Sequence, residues 1–219
     1  MAVTRGSTAG ADPVPLRLVN TVGWRFDPER RVERLPDAAA LLAWAIDAGV
    51  LSAGEARTVA AGPASALDAE LERARDLREA AYAVLAAHVE GRPPPPAATA
   101  VVHHLFAAAV RDARPSHTLP LTWEVAVARR PSERVVSHRL ALAVAGLLAS
   151  PDLSLIGRCA NEPCGWLFLD RTRSHTRRYC SSTGCGNSER VRRHYARHHR
   201  GRQTPGTTSG TPGTPGTPP

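Results

Sequence analysis

Four cysteines, Cys159, Cys164, Cys180 and Cys185, fall in the spacing C-x4-C-x15-C-x4-C and make up the chain's whole cysteine content. Two short knuckles joined by a longer segment supply the four soft ligands that a tetrahedral Zn²⁺ requires, with no thiol left over. Two disulfides would use the same residues and would suit a small exported domain. The N-terminal MAVTRGSTAGADP has no apolar signal core and is rich in Gly, Ala and Thr, which favours a reducing, cytoplasmic setting and zinc over disulfides. The expected cofactor is one structural zinc ion. Four thiolates saturate it and leave no position for water or substrate, so zinc catalysis is not expected.

Charge sharpens this reading. Between Arg158 and Arg202 there are eleven arginines and three carboxylates, Glu162, Asp170 and Glu189, a balance of +8 that equals the net charge of all 219 residues. Charge concentrated on one small module suits a nucleic-acid contact, because phosphate neutralisation releases condensed counterions. The chain has no lysine. Every cation is therefore a guanidinium, able to make forked contacts to phosphate or guanine, although a composition bias of the source genome accounts for the missing lysine equally well.

The whole sequence, with 42% hydrophobic and 22% charged residues and no apolar run long enough to span a membrane, otherwise reads as ordinary globular protein. Residues 1–13 and the Thr-Pro-Gly tail at 202–219 have the composition of disordered segments. Residues 14–152 are expected to form a mostly helical domain and 153–201 a four-cysteine finger. An ordered segment from Leu16 runs through Asn20-Thr21 into Trp24 and Phe26, its state open between helix and strand. Helices are expected over 36–50, capped by Asp37 with Leu41, Ala45 and Ile46 on one face; over 52–60, opened by a Ser52/Glu55 capping box; and over 66–90, 97–110 and 137–149. Residues 119–128 around Trp123 alternate enough for a strand or small hairpin. His88, His103, His104 and His138 read as core or surface histidines.

In the finger, Trp166-Leu167-Phe168-Leu169 reads as one hairpin strand, 177–180 as its partner and DRTRSHT as the turn. A helix then follows from Glu189, with Asn187 or Ser188 as N-cap and with Val191 and Tyr195 packed back on the hairpin. Knuckle, hairpin and helix make a treble-clef-like layout. Arg190, Arg192, Arg193, Arg197 and Arg200 on the helix, and Arg171, Arg173, Arg177 and Arg178 on the hairpin, are the candidate nucleic-acid contacts; a solvated basic face is the plain alternative. His194 and His198, four apart, have ligand spacing, but the cysteine set is complete without them.

The segment RCANEPCGWLFLDRTRSHTRRYCSSTGCGNSERVRRHYARH resembles the CGNR zinc finger. The upstream LRLVNTVGWR and LLAWAIDAGVLS resemble the ABATE domain of bacterial stress-induced transcription regulators. The likeness covers most of 15–200 and is dense in the finger, from Cys159, Cys164, Trp166 and Phe168 to Cys180, Cys185, Gly186 and Asn187. The fourth signature position is Ser188 here, so one arginine of the pattern is missing. The resemblance implies zinc and DNA binding.

The sequence therefore predicts a mainly α N-terminal domain with a small β-hairpin, followed by a zinc finger, in a DNA-binding transcription regulator. Structured RNA and a protein partner are the alternative targets. The helical domain is expected to sense a small-molecule effector or to self-associate. Asn20 and Thr21 either line a pocket or satisfy neighbouring backbone groups. No dinucleotide fingerprint, phosphate loop, H-E-x-x-H or spare nucleophilic cysteine points to an enzyme.

Overall fold

A computed structural model of the chain describes residues 12–127 and 134–200, with side chains in the last helix described as far as Arg192 and at Tyr195. The architecture is a mainly helical N-terminal region with small antiparallel strand pairs, followed by a four-cysteine cluster.

Three helices form the scaffold: α4 (Ala64–Val89), α5 (Pro96–Asp112) and α6 (Val135–Leu148), each packed against the other two. Their contact is lined by Leu71, Ala74, Leu77, Leu85, Leu105, Ala109, Leu140 and Val144. The many alanines let the helices approach closely, and the leucines fill the space between. A short α1 (Val14–Val19) inserts Leu16, Leu18 and Val19 against α4 and α6. The segment around Leu16 is thus a helix that passes directly into β1 (Val22–Gly23), which pairs antiparallel with β2 (Val32–Glu33).

The capping signals act as the sequence predicts. In α2 (Ala38–Asp47) the Asp37 carboxylate accepts from the Ala40 amide at 2.7 Å. In α3 (Ala53–Ala60) Ser52 Oγ accepts from the Glu55 amide at 3.2 Å, and the Glu55 carboxylate accepts from the Ser52 amide at 2.8 Å. Arg139 on α6 also donates to Glu55 at 2.6 Å, tying α3 to the bundle and holding the Glu55 carboxyl down at about 2. Ile46, expected on the buried face of α2, is exposed instead. Leu41 and Ala45 already fill the contact.

Of the strand expected over 119–128, the described residues show β4 (Trp123–Glu124), paired with β3 (Arg114–Pro115), while residue 128 lies outside them. Pro115 and Pro120 each lack an amide donor, which limits the ladder. Leu119, Leu121 and Trp123 stay exposed. A 3₁₀ turn at Pro151–Leu155 leads from α6 into β5 (Ile156–Arg158), which pairs antiparallel with β6 (Leu167–Leu169).

That pairing corrects the finger's expected hairpin. The partner of β6 is β5, upstream of the first cysteine, and 177–180 is not a strand. The Arg177 side chain donates to the carbonyls of Leu169 (3.3 Å), Tyr179 (3.0 Å) and Cys180, occupying acceptors that a ladder would use. The last helix, α7 (Cys185–Arg200), begins at the fourth cysteine rather than at Glu189. Ser181 sets its start: its carbonyl accepts from the Gly186 amide at 2.9 Å and its Oγ from the Gly184 amide at 3.1 Å. Val191 and Tyr195, expected against the hairpin, are 45% and 62% exposed.

Candidate metal centre and nucleic-acid interface

The β5–β6 pair carries the first knuckle. Cys159 closes β5, its amide donating to the Trp166 carbonyl at 2.9 Å, and the Cys164 amide donates to Asn161 O at 2.9 Å to make the turn. Gly165 follows at φ +68°, and a Cβ there would lie 2.9 Å from Phe26 and 3.0 Å from Arg25. Only glycine fits both the left-handed backbone and that close approach. The second pair is placed differently: Arg177 grips the carbonyl of Cys180, and Cys185 is the first residue of α7.

The four Sγ atoms lie within 4.8 Å of one another, and Cys164 and Cys180 are 3.7 Å apart. Zinc–sulfur bonds of about 2.3 Å in a tetrahedron place sulfurs about 3.8 Å apart, so the cluster fits zinc in size as well as in donor type. Hydrogen bonds from the Cys164 and Cys180 thiols hold Cys159 well below the ordinary thiol range. The Cys159 contact pushes the Cys164 thiol up, and contacts to Cys159 and Cys164 raise Cys180. Close packing thus favours one thiolate and resists the next, a conflict that a divalent cation relieves. Asn161 Nδ2 donates to Cys185 Sγ at 3.4 Å, an amide contact to a ligand sulfur of the kind that tunes such sites. The chain carries a single structural zinc at this cluster.

The knuckle is bound to the helical region by a row of hydrogen bonds. Asn20, 9% exposed, donates through Nδ2 to Leu167 O at 2.7 Å and accepts at Oδ1 from the Leu167 amide at 3.0 Å. The side chain acts as the next strand of the sheet, meeting the two backbone groups that β6 turns away from β5. Its loss would leave a buried N–H and C=O unpaired, at about 1–3 kcal/mol each. Trp166 Nε1 donates to Val22 O at 2.9 Å, Tyr82 Oη to Gly165 O at 2.9 Å, and the Arg25 amide to Cys164 O at 3.2 Å. Arg25 lies over the Tyr82 ring at 3.9 Å and pairs with Glu79. Thr21 Oγ1 donates to Leu18 O at 2.8 Å and accepts from Arg78 at 3.1 Å, while Arg78 forks onto Glu33 at 2.7 Å. Of the two alternatives for Asn20 and Thr21, their polar groups meet neighbouring groups within the fold.

The candidate cations separate into two sets. Arg177 is structural: its guanidinium meets three carbonyls and lies over the Phe168 ring at 4.4 Å. Asp170, buried beside it, accepts from Thr172 N (2.9 Å), Thr172 Oγ1 (2.6 Å) and Arg177 N (2.9 Å), which folds the DRTRSHT loop; the Thr172 hydroxyl leads in lowering its pKa. Arg173, Arg178 and Arg190 are exposed. Arg171 is exposed and 3.1 Å from Asp152, and Arg192 is exposed and 2.5 Å from Glu189. The side chains of Arg193, Arg197 and Arg200, and of His194 and His198, lie outside the described residues. Ser188 Oγ donates to Gly184 O at 3.2 Å, within the first turn of α7.

Sequence reasoning did not find Asn161, Tyr82 or the Trp166 indole as parts of this centre. The amide inside the knuckle, CANEPC, was the available signal for Asn161. Tyr82 had none, since it lies 83 positions from Gly165.

A helical region hydrogen-bonded to a saturated four-thiolate centre defines a zinc-finger protein. The chain belongs to the ABATE family, whose model matches residues 12–151 and is described as a putative stress-induced transcription regulator. Residues 156–198 match the CGNR zinc finger. Both descriptions are regulatory or zinc-finger, neither enzymatic. No curated protein matches the chain. Among the described residues no helix is long and apolar enough to cross a membrane.

Proposed function

We propose that this chain is a cytoplasmic, stress-responsive transcription regulator that binds DNA through the basic surface of its zinc finger. The observation that carries this reading is the division of labour around the zinc. Residues 163–167 face the helical region, whereas Arg171, Arg173, Arg178, Arg190 and Arg192 are exposed. Zinc folds the module and fixes α7 through Cys185; it takes no part in chemistry. The exposed guanidiniums meet phosphate oxygens, where counterion release supplies most of the affinity. Arg193, Arg197 and Arg200 complete the proposed surface along α7. The helical region supplies effector sensing or self-association.

Competition between duplex DNA and structured RNA for the zinc-loaded protein at fixed salt tests this directly. DNA is expected to displace RNA at equal nucleotide concentration, and preferential retention of RNA would overturn the assignment. A second reading, a protein-interaction finger, is favoured by one observation: Val191 and Tyr195, four residues apart on α7, are exposed. Binding through an apolar pair of this kind survives high salt, whereas phosphate binding does not.

A further inference from the structure

We propose that Asn20 and Tyr82 are positioning residues of the zinc centre, through which the helical region governs how long the finger retains its metal. This inference rests on the zinc site and not on the nucleic-acid reading. The two cysteine pairs are held by different means. Cys180 and Cys185 are fixed from within the finger, by Arg177 and Ser181. The stretch bearing Cys164 is fixed from outside it: Cys164 O and Pro163 O accept from the amides of Arg25 and Phe26, Gly165 O accepts from Tyr82 Oη at 2.9 Å, and both outward backbone groups of Leu167 are met by Asn20.

Zinc leaves a four-thiolate site as its thiolates are displaced, and each must move away from the others on the backbone that carries it. The first knuckle can do so only by separating from β1, α1 and α4. Asn20 and Tyr82 touch neither sulfur nor metal, so each acts through the backbone that carries Cys164. Partners that hydrogen-bond a ligand directly commonly alter metal affinity by 10- to 100-fold; Asn20 and Tyr82 stand one step further out, on the backbone that flanks Cys164. The Arg25 guanidinium over the Tyr82 ring, itself paired with Glu79, fixes the tyrosine in turn. Any event that shifts α1 against α4 therefore reaches the metal through these two side chains.

The test is zinc transfer from the full chain to excess chromophoric chelator, without denaturant, in wild type, Asn20→Ala, Tyr82→Phe and Leu105→Ala. Leu105 is buried on α5, so its truncation loosens the bundle away from the knuckle. The expected result is release about tenfold or more faster in Asn20→Ala, clearly faster in Tyr82→Phe, and unchanged in Leu105→Ala. Hydrogen exchange at the Leu167 amide of the zinc-loaded protein should accelerate in Asn20→Ala. Tyr82→Phe removes one hydroxyl and keeps the ring, so it carries the test if Asn20→Ala does not fold. Wild-type release in Tyr82→Phe, or equal acceleration in Leu105→Ala, would overturn the proposal.

Discussion

Arg177 and Arg178 are neighbours with the same charge and opposite roles. The Arg177 guanidinium holds the Leu169, Tyr179 and Cys180 carbonyls, so its replacement by Ala strips three acceptors of their donor beside a zinc ligand. Zinc affinity measured by chelator competition should fall by about tenfold or more in Arg177→Ala. Arg178→Ala should leave zinc affinity at wild type and make the salt slope of DNA binding shallower by about one, the share of a single neutralised phosphate. His138 makes a separate point about solvation. It is buried on α6 with neither ring nitrogen hydrogen-bonded, and Asp112 Oδ2 stands 3.1 Å from Nδ1. Burial lowers its pKa below 6.5, against the opposing pull of Asp112. The folded state thus prefers the neutral ring, and its contribution to stability is complete above the unfolded pKa and declines as pH falls through it. Urea unfolding of wild type should show a loss of stability below about pH 6.5 that His138→Leu lacks. Parallel pH curves for the two proteins would refute this.

At the scale of elements, local signals set the helices and long-range contacts set the strands. Ser52 and Glu55 wrote α3 into the sequence because a capping box is satisfied within four residues. Ser52→Ala should lower stability by about 0.5–2 kcal/mol, read as a drop in Tm with the rest of the bundle intact. The four cysteines were equally legible, since their spacing alone assembles a ligand set. The strands were not. β5 is Ile156-Gly157-Arg158, too short to alternate, and its glycine is required because a Cβ would lie 2.8 Å from the Phe168 ring. Nothing in those three residues reveals a partner strand, whereas 177–180 has the pattern of one but does not pair, its Arg177 guanidinium taking the Leu169, Tyr179 and Cys180 carbonyls. The Asn20–Leu167 clamp spans 147 positions, beyond any local pattern. Helix α7 starts four residues before Glu189 because Ser181, outside the helix, sets its start.

Across the whole molecule, helical core and finger interpenetrate. Ile156, Leu167 and Leu169 lie beyond residue 153, where the finger was expected to begin, yet they belong to the same buried cluster as Leu16, Leu77 and Leu140. Chelation of zinc should therefore unfold the cysteine loops and also raise hydrogen exchange at the Arg25 and Phe26 amides, which donate to Cys164 and Pro163. An autonomous finger would leave those amides protected. Whether a zinc-organised basic surface binds DNA is decided by a salt titration of binding to random duplex DNA, with zinc-loaded and chelated protein compared. Binding should require zinc, and its log affinity should fall linearly with log salt, at a slope of about −0.9 for each phosphate neutralised. Binding that survives chelation unchanged, or that is indifferent to salt, would contradict the proposed function.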